Sequence, residues 1–347
     1  MKRELTLNKL PAKVLAQLDL ETVFIASRCA IAAERLQVFR KLDGKELSAA
    51  QIAQRAGIHR KHCEPFLNYL VFLGLLKKRG NLYRNSQLVI KHFLKARSID
   101  WTRLWSYECV RDFEALTVME EVISTGRGWR KILGKERKTD YELVQEDRQW
   151  ARDFTYALYD YDRPNAEILA RNLELSNYRK LLDVGGGSGV MSFALVRANP
   201  KLTTCILEYP LVCEVANEII RKERLSRRVK TLAGDMNKAI PRGFDVIMFW
   251  NIGFITTQVM KMAYRSLPEG GMVVRNCSLP LKPKTLPPSA FLHGYLSVRP
   301  QGQSGPDIIK SLEDASFTAV KCRQISKNLG VITAHKRNIR KRRVPER

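Results

Sequence analysis

The residues with the clearest chemical consequence are Gly185, Gly187 and Gly189, in the run Leu181-Leu182-Asp183-Val184-Gly185-Gly186-Gly187-Ser188-Gly189-Val190. An apolar stretch from Lys180 to Val184 ends in this glycine bend. A helical pattern then begins at Met191 and stops at Asn199-Pro200. Strand, glycine bend and helix is the opening unit of a Rossmann-like sheet, in which the backbone comes close to a bound nucleotide and only glycine leaves room for it. About twenty residues further on, Glu208 closes the apolar run Thr203–Leu207, where a carboxylate binds both hydroxyls of a ribose. A bland surface turn would not need that acid at that spacing.

The elements that must hold these residues follow from the pattern. From Tyr178 onward strands and helices alternate. Lys180–Val184, Thr203–Glu208, Val229–Leu232, Phe244–Trp250 and Gly271–Arg275 read as strands, and segments near 190–198, 211–224 and 257–266 as helices. Such alternation predicts an α/β fold, a doubly wound parallel sheet with its ligand outside the carboxyl ends of the strands. A helix over Asp307–Ala315 and a hairpin (Phe317–Ile325 with Gly330–His335) add an antiparallel edge.

Ahead of the sheet, Ala12–Leu18 and Val23–Leu36 read as amphipathic helices. Ser48 caps a further helix, and Gly57-Ile58 turns the chain into another that carries Phe66, Leu67, Leu70 and Leu73. Gly80-Asn81 between apolar runs signals a hairpin. Helix, turn, helix and wing describe a winged-helix domain, and a positive charge on such a domain invites a DNA reading. A recognition helix, however, needs polar and basic residues free to reach base edges. This one is apolar around most of its circumference, so a second copy of the chain is the expected partner rather than nucleic acid. The expected divisions are 1–97 for the winged-helix-like domain, 98–178 for a helical linker and pocket region, 179–336 for the Rossmann-like domain, and 337–347 for a basic, disordered tail.

The 98–178 region is rich in aromatic residues. Most belong to a core, but the dense run Phe154-Thr155-Tyr156-Ala157-Leu158-Tyr159-Asp160-Tyr161 lies just before the glycine strand, so some of its rings are candidates to roof a substrate pocket. Composition limits the alternatives. The formal net charge is +25. The first 100 residues hold 19 Lys and Arg against 8 Asp and Glu, and Lys336–Arg347 holds 7 against 1. The excess sits at the ends of the chain rather than at the glycine bend. It fits a solvated surface, an anionic partner or an acidic substrate. The 7 cysteines are scattered without a CxxC pair, so neither a disulfide framework nor a zinc site is indicated. No run is long and apolar enough to span a membrane, and the charged N-terminus is no signal peptide, which makes the expected location cytoplasmic.

With the glycine bend, Glu208-Tyr209-Pro210, Gly234-Asp235-Met236 and Gly270-Gly271 in order, the chain from about residue 15 to 335 resembles the S-adenosylmethionine-dependent small-molecule O-methyltransferases of the caffeate and acetylserotonin type. These carry a winged-helix dimerisation domain in front of the catalytic one. The resemblance implies a homodimer and S-adenosyl-L-methionine as cofactor. Gly185, Gly187 and Gly189 would approach its methionine and ribose, Glu208 its ribose, and Asp235 and Met236 its adenine, with Tyr209 and Asn251 also on the cofactor.

The departures from the family bear on chemistry. Counting from Asp245, the family's catalytic histidine falls on Phe254, which cannot take a proton from a phenol or alcohol. The family's Glu-Arg-Thr stretch is replaced by Gln303-Ser304-Gly305. Three readings stay open. The acceptor needs no strong base (an electron-rich carbon, a thioether or thiol, or a group already ionised), as in the bacteriochlorophyllide C-20 methyltransferase, a C-methylating relative that also lacks that histidine and whose later histidine matches His293. A base is relocated to His293, Tyr156, Tyr159 or Cys277. Or the fold binds its cofactor without transferring methyl. Trp250, Phe254 and His293 are the expected contacts to a flat aromatic or acidic acceptor.

Overall fold

The computed structural model describes residues 20–94, 116–134, 140–278, 303–327 and 329–337. The expected helix at Ala12–Leu18, His293 and the basic tail beyond Arg337 lie outside the described residues, as do Trp101, Trp105, Tyr107 and Phe113. The chain divides into two compact units, Met1–Glu114 and Ala115–Arg347.

In the first unit, α1 (Leu20–Arg35) and α2 (Val38–Leu42) precede a short strand β1 (Leu47–Ser48). Helix α3 (Ala49–Ala56) starts where Ser48 and Gln51 cap one another: the Gln51 amide donates to Ser48 Oγ, and the Ser48 amide donates to Gln51 Oε1 at 2.9 Å. It stops at Gly57, whose φ of +67° suits glycine. Helix α4 (Arg60–Phe72) buries Cys63, Leu67 and Leu70 against Phe39, Leu42, Ile52 and Tyr83. Its exposed side is mixed: Arg60, Lys61, His62, Glu64 and Asn68 are exposed, and so is Phe72, at 71%. A hairpin follows, β2 (Leu76–Arg79) and β3 (Leu82–Asn85), turning at Gly80-Asn81 with Gly80 at φ +55°. The edge of β3 takes β1 as a third strand. Short helical turns α5 (Gln87–Val89) and Ile90–Leu94 end the described part of this unit.

The second unit begins with the helices α6 (Met119–Thr125), α7 (Trp129–Ile132) and α8 (Asp140–Glu146), then the long α9 (Arg148–Asn172). The sheet follows: β4 (Lys180–Val184), α10 (Val190–Ala198), β5 (Thr203–Glu208), α11 (Pro210–Lys222), β6 (Val229–Ala233), β7 (Val246–Phe249), α12 (Thr257–Ser266) and β8 (Met272–Ser278). Helix α13 (Gly305–Asp314) and the pair β9 (Thr318–Gln324) and β10 (Leu329–His335) close it. The strand order is β6-β5-β4-β7-β8-β10-β9, parallel from β6 to β8, with β10 antiparallel to both β8 and β9. The antiparallel edge is therefore present where the sequence pattern put it.

Alternation along the strands builds two cores. Leu181, Ile206, Val246 and Met248 face the layer of α9, α10 and α11, while Leu182, Val184, Leu207, Ile247 and Phe249 face that of α12 and α13. Both faces are covered, so β4 and β7 read as nearly unbroken apolar runs. From β4 the chain winds outward through β5 to β6, then returns to the other side of β4 as β7. That reversal opens a crevice at the carboxyl ends of β4 and β7.

Candidate functional site

The crevice is a cleft with about 930 Å³ of space not filled by atoms, its solvent-open mouth included. The glycine bend after β4 forms its floor. Gly187 stands at φ +53°, and a Cβ there would meet only Leu158 Cδ1 of α9, at 4.0 Å, so this position faces open cleft. Gly189 is glycine for another reason: at φ +80°, a Cβ would fall 2.4 Å from Ile206 Cδ1. Its smallness seats α10 on β5, and the residue does not line the cleft.

Glu208 ends β5 beside the bend. Its Oε1 accepts from the Gly187 amide at 3.3 Å and its Oε2 from the Tyr209 amide at 2.9 Å. Burial pushes its carboxyl pKa up, and the two amide donors oppose that. Acid and glycine bend thus form a single cradle across neighbouring strand ends, with carboxylate lone pairs left for a ligand. Tyr209 and Met236 also line the cleft, but Asp235 does not. Its Oδ1 accepts from the amide and side chain of Asn237 at 2.8 and 3.0 Å, an Asx turn that holds it to its own loop. That turn uses one carboxylate oxygen and leaves the other, Oδ2, outside it.

The structure adds two acids that sequence reasoning did not assign. Asp183 is fully buried in β4; Ser192 Oγ donates to its Oδ2 at 2.8 Å, and its Oδ1 has no hydrogen-bond partner. Desolvation pushes its pKa up to about 7. A charged residue inside a four-residue apolar run was the available signal. Asp162, on α9, is 5% exposed; its two oxygens accept from Asn251 Nδ2 at 2.8 and 2.7 Å, and burial raises its pKa to about 6. Asn251, at φ +56°, is clamped in turn by Asn276: its amide donates to Asn276 Oδ1 at 3.0 Å, and Asn276 Nδ2 donates to its Oδ1 at 3.2 Å. Behind this loop the buried Arg275 donates to the Ile252 carbonyl at 3.1 Å and to Gln303 Oε1 at 3.0 Å.

Helical spacing sorts the aromatic run. Phe154, Leu158 and Asp162, four apart, line the cleft. Tyr156 and Tyr159 do not, contrary to their expected place beside a substrate. The Tyr156 hydroxyl donates to Glu218 Oε1 at 2.9 Å and accepts from Lys222 Nζ at 2.6 Å, and the Tyr159 hydroxyl donates to Glu223. Glu223 and burial hold the Tyr159 hydroxyl well above its ordinary pKa. Both rings fasten α9 to α11 and its end, together with Arg152–Glu218. Trp250 lines the cleft as expected, whereas Phe254 is 54% exposed and outside it. Cys277 is buried against Cys322, 3.7 Å between sulfurs, and burial pushes its thiol up to about 12. Among the described residues that line the cleft there are three acids and no Lys, Arg or His.

A parallel sheet with a glycine cradle, a ribose-height acid and a cleft at its switch point is the architecture of a nucleotide-binding methyltransferase. Residues 116–306 match the O-methyltransferase domain and residues 18–89 the O-methyltransferase dimerisation domain, so the chain belongs to the O-methyltransferase family. It is an S-adenosylmethionine-dependent methyltransferase of small molecules. A 3-hydroxy-5-methyl-1-naphthoate 3-O-methyltransferase of Streptomyces sahachiroi is 27% identical over 265 residues, 74% of each chain. An L-tyrosine C(3)-methyltransferase of Streptomyces lavendulae is 30% identical over 262 residues, 70% of this chain and 69% of the other. The structure of PigF with SAH superposes with a TM-score of 0.80 at 20% identity, covering 94% of this chain and 100% of that one.

Proposed function

We propose that the protein moves the methyl group of S-adenosylmethionine to a small aromatic acceptor whose reacting atom needs no strong base, a carbon or a sulfur. The observation that carries this is Phe254 at the family's histidine position, a side chain that cannot take a proton. The described walls offer Phe154, Leu158, Trp250 and Ile252, surfaces suited to a flat ring. The relatives are named for transfer to oxygen in one case and to carbon in another, so the fold tolerates both acceptor types. Among the described lining residues, three acids without a cation give no support to an acidic acceptor, the other half of the expectation from net charge.

The residues present fit the cofactor. Glu208 has spare acceptor capacity for two hydroxyls, Gly187 leaves space above the bend, and the unpartnered Asp183 Oδ1 awaits a donor. When bound, the cofactor supplies a sulfonium-activated methyl group. Glu208 and the Gly187 backbone hold the sugar, Met236 packs against the base, and Trp250 and Phe154 keep water from the reacting atoms. The acids complement positive charge in a site of low dielectric. The first unit, winged-helix in architecture, serves as the dimer interface, with the exposed Phe72 and Leu88 as apolar contacts, and the protein works in the cytoplasm.

The test is methyl-labelled S-adenosylmethionine offered with a panel of phenols, anilines, thiols and electron-rich aromatic carbons. Transfer to a carbon or sulfur acceptor is expected. Transfer confined to phenols, with a pH profile that shows a base, would overturn the acceptor assignment.

A further inference from the structure

The cleft contains a polar group that ribose and adenine binding do not use. Asp162 reaches it from α9, one turn beyond Leu158, the side chain that stands over Gly187. Asn251, fixed by Asn276, spends one amide nitrogen on both Asp162 oxygens, and Asn165 Nδ2 adds a long contact to Oδ1 at 3.4 Å; these set the carboxylate plane and leave acceptor capacity on a side chain that lines the cleft. The clamp therefore orients an acid rather than neutralising it. No described lining residue supplies a counter-charge, and the buried Asp183 Oδ1 nearby is also unpartnered.

Position gives the ligand's polarity. The sheet order places β6, β5, β4 and β7 side by side, with Met236 after β6, Glu208 at β5, the glycine bend at β4 and Asn251 after β7. Adjacent strands lie about 4.8 Å apart, so the row from β6 to β7 spans roughly 14 Å. That matches an extended adenosyl-methionine read from base to amino-acid end. Accepting that the cleft takes this cofactor, we infer that Asp162, oriented by Asn251 and Asn276, is the seat of the methionyl ammonium group. A buried, oriented carboxylate with acceptor sites to spare is the partner an ammonium needs on leaving water. Asp162 is then a positioning residue: it fixes the amino-acid end and so the direction in which the methyl points.

The experiment compares two ligands on the full-length protein by calorimetry. S-adenosylhomocysteine carries the amino-acid end, and 5′-methylthioadenosine lacks it. In Asp162→Asn the first should bind about 10-fold to 100-fold more weakly, the loss of one charge-assisted contact, while the second binds as before. Asp162→Glu should recover part of the difference, and thermal melting should show a folded variant in both cases. Equal weakening of both ligands would mean that Asp162 only shapes the cleft, which overturns the inference. Unchanged binding of both, with turnover reduced and its pH profile shifted, would make Asp162 a proton acceptor and overturn it equally. Wild-type protein that takes up neither ligand would sink the cofactor reading and the inference with it.

Discussion

Replacing Glu208 with glutamine separates what the cradle does for the ligand from what it does for the fold. The carboxylate accepts from two backbone amides, Gly187 and Tyr209, and is placed to accept from two sugar hydroxyls. Glutamine keeps one acceptor oxygen and must turn its NH₂ toward one of those amides or away from them. Hydrogen bonds to a charged group contribute about 1.5–3 kcal/mol each. Losing the charge on both ligand contacts, and the acceptor on one, removes about 2–4 kcal/mol, so the dissociation constant for S-adenosylhomocysteine should rise roughly 30-fold to 1000-fold. The fold should hardly notice. Burial pushes the Glu208 pKa up, so holding the charged form carries a desolvation cost in the ligand-free protein that a neutral amide relieves. Calorimetry and thermal melting on the same preparation are the assay. The expected result is much weaker binding with a ligand-free melting temperature within about 4 °C of wild type. Binding within threefold of wild type would refute the ribose role of Glu208.

Other outcomes follow from the same geometry. Gly187→Arg should fold, at a cost of about 1–2 kcal/mol for a side chain at positive φ, and should take up no cofactor because only Leu158 stands near the new Cβ; equilibrium dialysis checks this. Tyr159→Phe should lower stability by about 1–2 kcal/mol, through the lost hydroxyl contact to Glu223, and leave turnover unchanged; a large fall in kcat would return that ring to the site. Asp183 has its folded pKa raised from 3.8 to about 7, so its contribution to stability is present below pH 3.8 and lost as pH rises through about 7. The full displacement corresponds to about 4 kcal/mol. Asp162, raised to about 6, and Glu208 act in the same direction. Denaturation of the ligand-free protein should therefore show stability falling from pH 5 to pH 8, with a shallower slope in Asp183→Asn.

Much of this was legible from periodicity. The glycine bend, Glu208 and the alternating pattern located the crevice, because parallel strands buried on both faces and glycine at positive φ have few other readings. The Ser48 cap and the Gly80-Asn81 turn were equally direct, since each is decided by residues within a few positions. What did not follow was the facing of side chains on α9. Phe154, Tyr156, Leu158, Tyr159 and Asp162 sit within nine residues, and only the helix's placement against α11 sends the tyrosines to Glu218 and Glu223 and the others into the cleft. Nor does motif spacing show that the small size of Gly189 answers to Ile206. Asp162 carries no sequence signal: its partner Asn251, in the loop after β7, and Asn276 of β8, which holds Asn251, are brought near only by the tertiary fold.

Calorimetric titration of the purified wild-type chain with S-adenosylhomocysteine tests the central claim most directly. Uptake of one ligand per chain, abolished in Gly187→Arg, is the predicted result. No detectable uptake of either S-adenosylhomocysteine or S-adenosylmethionine by folded protein would contradict it.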